Sequence, residues 1–319
     1  MIDKPFIQLP TESILTKYKQ PIEFSDKQLE VFWLPGEISV DKDIQSVRVD
    51  MTEAEKHGVL TTLRLFTLYE LRAGADYWGD RFVKIFPRPE FTRMASVFSM
   101  FELAVHAPFY NKLNEALNVS TDDFYLSYVQ DPTLKERMDF IATALEGDDD
   151  LFSVAVFSLV EGAVLYSAFA FLKHFQANGK NKLNNVCRGI NFSVRDEALH
   201  ANAGAWCFRQ LLNEKQGTYD WTKILNAVET IRSHEYYIID MVFSKGNISG
   251  ISSESMKQFV DHRLALCLNN LGFVSDKLYI TSPIEDWFYK DINDFKFNDF
   301  FGGVGSEYRR DWDEKRFIW

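Results

Sequence analysis

The stretch LFSVAVFSLVEGAVLYSAFAFL, residues 151–172, is apolar along its whole length except for one charge, Glu161. A run of that length can cross a membrane. It also suits the centre of a large helical bundle, where a helix is apolar on every side because neighbours surround it. The second reading fits the rest of the chain better, because no other span and no interfacial aromatic belt accompanies the run. In either setting a lone carboxylate among apolar side chains is costly to ionise unless something positive meets it. Glu161 therefore demands a partner.

Working outward, helical patterns fill most of the sequence. Thr52 with Glu55 forms a capping box that opens a helix running to about Asp80. Pro87 and Pro89 interrupt, and a second long helix is expected over 90–117, with a short one near 121–129. Asp131 followed by Pro132 places an N-cap and a first-turn proline at the start of a helix through about Glu146. Further helices fit 149–175, 181–214, 219–245 and 252–274, with Asn178-Gly179 as a turn. Alternation at period two is scarce, so the expected fold class is all-α. Residues 1–45 read as an irregular arm with short helices, and from Ser282 the pattern dissolves into a polar, Gly- and aromatic-containing tail. Without repeats or low-complexity tracts, residues 1–319 read as a single domain.

Composition narrows the function classes. Acids outnumber bases 46 to 35, a formal charge of −11, which argues against nucleic-acid binding and its basic face. The 28 phenylalanines point to a core filled by large rings. Three scattered cysteines, Cys187, Cys207 and Cys267, make neither a disulfide framework nor a CxxC zinc site. The N-terminus lacks the basic-then-apolar pattern of a signal peptide, so the expectation is a soluble, cytoplasmic protein without a membrane partner. No P-loop or Gly-rich dinucleotide fingerprint is present.

Four of the helices carry acids or histidines in apolar surroundings. Glu70 interrupts VLTTLRLFTLYELRAG, Glu102 and His106 lie in MFELAVHAPFY, Glu161 stands alone, and Glu197 and His200 lie in VRDEALH. Residues three or four apart share one helix face, so each Glu/His pair can aim at a common point. A Glu from each of two helices and a Glu/His pair from each of two others is the recipe of di-metal carboxylate bundles. Four carboxylates balance two divalent cations, and neutral imidazoles add ligand strength without charge. Each element by itself is common on solvated helix faces, as His57, His174, His234 and His262 illustrate. It is the joint order Glu, Glu/His, Glu, Glu/His on successive helices that selects a ferritin-like di-metal bundle.

VRDEALH, preceded by LVEGAVLYSAFA, resembles the radical-generating small (β) subunit of class I ribonucleotide reductase. EVFWLPGEI near the start is similar to that family's Phe-Trp motif, and SPIEDWFY followed by NDFFGGVGSEYRRDW to its final helix-to-tail segment. The resemblance implies that Glu70, Glu102 and His106 bind one metal and Glu161, Glu197 and His200 the other. It implies a radical on Tyr110, and a relay through Trp33, Asp196 and Tyr308 into a separate large subunit. It also implies a pair of iron, manganese or mixed ions, a homodimer, and an activating flavoprotein as accessory partner. On the residues alone, Leu165 and Phe169 can wall Tyr110. Asp196 can accept the second N–H of a metal-bound His or pair with Arg195. Trp33 can equally be a packing anchor, and EKRFIW can fill a pocket on the partner or simply fray.

The sequence departs from the family pattern twice. Glu70 stands where many members have Asp, and Glu102 and His106 are four apart rather than three. Both spacings keep the pair on one face, offset by about 40° or 60°, and a local bulge or kink near Pro108 is expected to absorb the extra residue. Two other readings stay open at this point. One is a di-metal oxidase acting on a small organic substrate, which needs an apolar tunnel to the metals. The other is a storage shell protein, which needs a cage assembly.

Overall fold

The computed structural model describes residues 4–216, 219–275 and 280–289, and of Thr67 the backbone alone. Among these residues all the regular secondary structure is helical, and the sole β-type pairing is an isolated bridge between Ile248 and Ile251. The α-helices longer than one turn are α1 (Lys19–Glu30), α2 (Glu53–Leu71), α3 (Pro89–Phe101), α4 (Ala107–Leu117), α5 (Asp122–Gln130), α6 (Pro132–Glu146), α7 (Asp150–Leu159), α8 (Tyr166–Lys173), α9 (Asn184–Glu214), α10 (Thr222–Val242) and α11 (Ser253–Leu271).

The expected caps are present. Thr52 accepts from the Glu55 amide while Glu55 Oε2 accepts from the Thr52 amide at 2.8 Å, which satisfies two orphan donors at once. Asp131 accepts from the amides of Thr133 and Leu134. Asn118, at φ 60°, and Gly272, at φ 97°, close α4 and α11 in the left-handed conformation.

Three helices are interrupted by wider, π-helical turns. α2 continues through Arg72–Arg81, α3 passes into α4 through Glu102–His106, and α7 passes towards α8 through Val160–Val164. A π turn shifts the hydrogen-bond ladder by one residue, and such turns concentrate at functional sites. The carbonyls they leave are met by side chains. Ser99 Oγ donates to the Gly74 oxygen at 2.8 Å, and Arg263 donates to the Gly162 oxygen from Nε at 2.9 Å and Nη2 at 2.6 Å. The Arg263 guanidinium also lies 3.6 Å from the centre of the Tyr166 ring, so a buried cation is both hydrogen-bonded and stacked.

The apolar run of residues 151–172 is the core helix of the bundle. The stretch Asp150–Gly179 alone among the described residues is long and apolar enough to cross a membrane, and its most apolar window is 100% buried inside the bundle. α7 packs along α9, and α1 along α3. Trp33, Trp78, Tyr77, Tyr110 and Tyr166 are among the largest fully buried side chains. Within the segment read as tail, Ile284 and Phe288 are buried against this core. Residues 290–319, with Tyr308 and EKRFIW, lie outside the described part.

Gly162 shows how tightly the π turn is held. A Cβ there would overlap the Cys267 sulfur and sit 3.2 Å from the Ala201 methyl. Gly162→Ala should therefore destabilise the fold by about 1–3 kcal/mol, as overpacking does, measured by denaturant unfolding. Adding Cys267→Ala should recover most of that loss.

Candidate metal centre

Each Glu and His singled out in the sequence reaches one buried cluster. Glu70 comes from the last turn of α2, Glu102 and His106 from the two ends of their π turn, Glu161 from the π turn Val160–Val164, and Glu197 and His200 from α9. None of the six is more than 2% exposed. The expected bulge is thus the π turn that begins at Glu102 and ends at His106. The wider turn accommodates the four-residue spacing, and both side chains face the cluster.

The donor atoms fall into two groups, each within 4.8 Å of one another. One comprises Glu70, Glu102, His106 and Glu197, and the other Glu102, Glu161, Glu197 and His200. Glu102 and Glu197 belong to both groups. Glu102 turns Oε2 to His106 Nδ1 at 2.9 Å and Oε1 to His200 Nδ1 at 2.7 Å. Glu197 does likewise, at 3.1 Å and 3.8 Å. Glu70 lies at the His106 end and Glu161 at the His200 end, each 3.7 Å from its imidazole. Several of these atoms, including both Glu70 oxygens and Glu161 Oε2, have no hydrogen-bond partner among the described residues. Buried polar atoms are rarely left so. Converging oxygens and nitrogens are what two hard or borderline divalent cations need, and the cluster fits a di-metal centre.

Electrostatics agree. Burial and the charge of Glu102 push the Glu70 and Glu197 carboxyls well above their usual range. Burial acts the same way on Glu102, but the two imidazoles overcome it and hold that carboxyl well below. His200, against the opposing effect of burial, is raised to about 9 by Glu102 and Glu161, and His106 is raised well above its ordinary value by Glu102 and Asp196. Without cations, protons take their place.

The outer nitrogens of both imidazoles are engaged, which sets Nδ1 toward the cluster. His106 Nε2 lies 3.2 Å from Asp196 Oδ2, and Trp33 Nε1 donates to the same oxygen at 2.8 Å. Asp196 Oδ1 also meets Arg195 at 3.4 Å, so the two partners weighed for Asp196 coexist. Trp33 is buried and its ring is inclined by 29° to that of His106, with ring centres 6.0 Å apart. His200 Nε2 donates to Gln28 Oε1 at 3.1 Å. Tyr110 is buried one turn beyond His106, and its hydroxyl has no hydrogen-bond partner among the described residues. Burial and Glu70 push that phenol well above its usual value. The ring wall at Tyr110 is Phe66, stacked at 4.2 Å, with Phe169 behind it at 5.3 Å. Phe169 is thus one ring removed, and Leu165 is buried beside the π turn Val160–Val164.

Gln28, Phe66 and Trp78, whose indole donates to Glu161 Oε1 at 2.8 Å, escape the sequence reading. Gln28 precedes Trp33 by little more than a helical turn, and Phe66 precedes Glu70 by one, but nothing in their types marks them. Three of the four remaining imidazoles find other partners: His57 the Met241 carbonyl, His174 the Phe171 carbonyl, and His262 the Ile280 carbonyl and Glu285, whereas the buried Nδ1 of His234 has none among the described residues.

The family model for the ribonucleotide reductase small chain matches residues 14–283. The chain belongs to that family. It is 23% identical over 311 residues to a probable ribonucleoside-diphosphate reductase small subunit of Invertebrate iridescent virus 3, covering 89% of this chain and 80% of the relative. It is 23% identical over 304 residues to the ribonucleoside-diphosphate reductase subunit beta of Bacillus subtilis, covering 90% and 88%. Among solved structures, a putative class I ribonucleotide reductase of Bacillus halodurans superposes with a TM-score of 0.78 at 22% identity, covering 89% of this chain and 94% of that one. The dimanganese(II) NrdF of Streptococcus sanguinis superposes with a TM-score of 0.74 at 20% identity, covering 88% and 99%. The all-helical ribonucleotide reductase small-chain fold expected from the sequence is the fold observed.

The raised imidazoles predict a pH dependence for metal-stripped protein. A His whose folded value lies above its unfolded one, near 6.5, stabilises the fold below that pH, and the contribution is lost as pH rises through the folded value, about 9 for His200. The raised Glu70 and Glu197 carboxyls act in the same direction. The melting temperature of chelated protein should fall between about pH 6.5 and 9. Mn(II) binding at pH 7 should release more than one proton, measured by calorimetry in buffers of different ionisation enthalpy.

Proposed function

We propose that this ribonucleotide reductase small chain generates and stores the radical of a class I enzyme. Glu70, Glu102, His106, Glu161, Glu197 and His200 are the metal ligands in this reading. The observation that carries it is the pair of overlapping four-residue groups, each converging on one point in a sealed apolar core. When bound, a pair of iron or manganese ions, or one of each, supplies the electrons that convert oxygen or a reduced oxygen species into a one-electron oxidant.

Tyr110 is the residue proposed to hold the oxidising equivalent. Its ring is enclosed by Phe66 and Phe109, which keeps water and other reductants away. Burial penalises its phenolate form, so the Oη proton stays in place until the electron leaves. Trp33, Asp196 and Tyr308 are the proposed relay toward a large subunit that reduces ribonucleotides. For the first two, support comes from the bond between Trp33 Nε1 and Asp196, whose acceptor oxygen also faces His106. Through it, a proton shift at Asp196 and a charge on the indole are coupled. Tyr308 is proposed from the motif alone.

The large subunit, a second copy of this chain and an activating flavoprotein are the proposed partners, and the cytoplasm the proposed location. Exposed Leu71 and Leu103 lie on adjoining helices and offer apolar surface for pairing with that second copy. After aerobic activation, wild-type protein should show an organic radical by electron paramagnetic resonance, and Tyr110→Phe should lack it and support no turnover with the large subunit. A mutant with full reductase activity would remove Tyr110 from this role. Deleting residues from Tyr308 onward should abolish turnover while metal content, read by elemental analysis, stays at the wild-type level.

A further inference from the structure

The two ends of the metal centre differ in what holds their terminal carboxylates. Glu70 has both oxygens free of hydrogen bonds among the described residues, whereas Glu161 has Oε1 engaged and Oε2 unpartnered. The group that engages Oε1 is the Trp78 indole, at 2.8 Å. Trp78 is fully buried. Its ring is packed by Tyr77 at 4.8 Å, Phe82 and Phe98 at 4.9 Å, and by His200 edge-on at 5.9 Å. A ring enclosed in this way cannot turn its N–H elsewhere, so the bond is fixed by packing as well as by its own strength.

The placement depends on the π-helical run Arg72–Arg81. Trp78 follows Glu70 by eight positions, which in an α-helix would leave it about 80° round from the Glu70 face. Each residue of a π turn advances by a smaller angle, because the ladder closes over five residues rather than four. The run therefore carries the indole back toward the face from which Glu70 reaches the cluster. Ser99, which meets the Gly74 carbonyl, ties that run to α3.

We propose that Trp78 is a positioning residue that, by engaging Oε1, biases Glu161 toward donation through Oε2, while Glu70 remains equally able to offer both oxygens. The ends of the centre are thereby made unequal by one N–H. The inference rests on the di-metal reading above, and goes beyond it by assigning the coordination mode of one ligand to a residue outside the ligand set. Outer partners of this kind typically alter metal affinity by about 10–100-fold.

The test compares full-length wild type with Trp78→Phe and with benzothienylalanine at position 78, whose sulfur replaces the indole N–H in an almost identical shape. Infrared difference spectra, Mn(II)-loaded minus metal-stripped, report carboxylate mode. A carboxylate bound through one oxygen has widely split stretches, and one bound through both has closely spaced stretches. Wild type should show a widely split component that narrows in the benzothienylalanine protein. Calorimetric Mn(II) titration of that protein should show one of two sites altered by about 10-fold and the other unchanged. If Trp78→Phe fails to fold, the near-isosteric variant still decides the matter. An unchanged spectrum with both Mn(II) constants within two-fold of wild type overturns the role of Trp78 and leaves the di-metal reading standing. Wild type that takes up fewer than two Mn(II) per chain overturns that reading, and the Trp78 role with it.

Discussion

Four carboxylates and two imidazoles are held in the middle of an apolar bundle, and that burial is the constraint on which the rest of the structure depends. Desolvation, with the charge of Glu102, drives the Glu70 and Glu197 carboxyls toward their neutral form. The cluster is stable only where the charge of its four acids is matched, by metal ions or by protons on His106, His200 and the Glu70 and Glu197 carboxyls. The same low-dielectric setting that makes this costly also makes the site useful. It strengthens every interaction with a bound cation and seals the Tyr110 ring behind Phe66 and Phe109.

Geometry is adjusted to that constraint at the level of the backbone. An α-helix offers ligands only at fixed steps around its axis, and the acids of this chain do not all fall on those steps. The π turns at Glu102–His106 and Val160–Val164 carry three of the six cluster residues, and the longer run after Glu70 brings Trp78 to the cluster. Each such turn disturbs the ladder of backbone hydrogen bonds, which in a buried helix has to be made good. Ser99 and Arg263 do this for Gly74 and Gly162, and the absence of a side chain at Gly162 lets Cys267 and Ala201 close in.

Around the cluster stands a ring of hydrogen-bond partners, each on a different helix from the side chain it orients. Asp196 on α9 faces His106, Gln28 on α1 faces His200, and Trp78 in the run after α2 faces Glu161. Trp33 extends the ring outward through Asp196. The cluster is therefore aligned by the docking of helices remote in sequence, not by any one of them.

How much of this could be read from the residues depends on the range of the interaction. The helices, their caps at Thr52 and Asp131, and the buried central helix follow from local periodicity and capping chemistry, which act within a few residues. The six cluster side chains were also legible, because Glu161 alone in an apolar run and acid/His pairs on one helix face are local patterns with a physical cost. The π turn at Glu102 was foreshadowed by its four-residue spacing. What only the tertiary structure decided is how these parts face one another: that Glu102 and Glu197 each belong to both halves of the cluster, that Phe66 and not Phe169 stacks on Tyr110, and that Gln28 and Trp78 hold His200 and Glu161. Those facts depend on the rotation and approach of helices distant along the chain, and on backbone turns whose phase no fixed period describes.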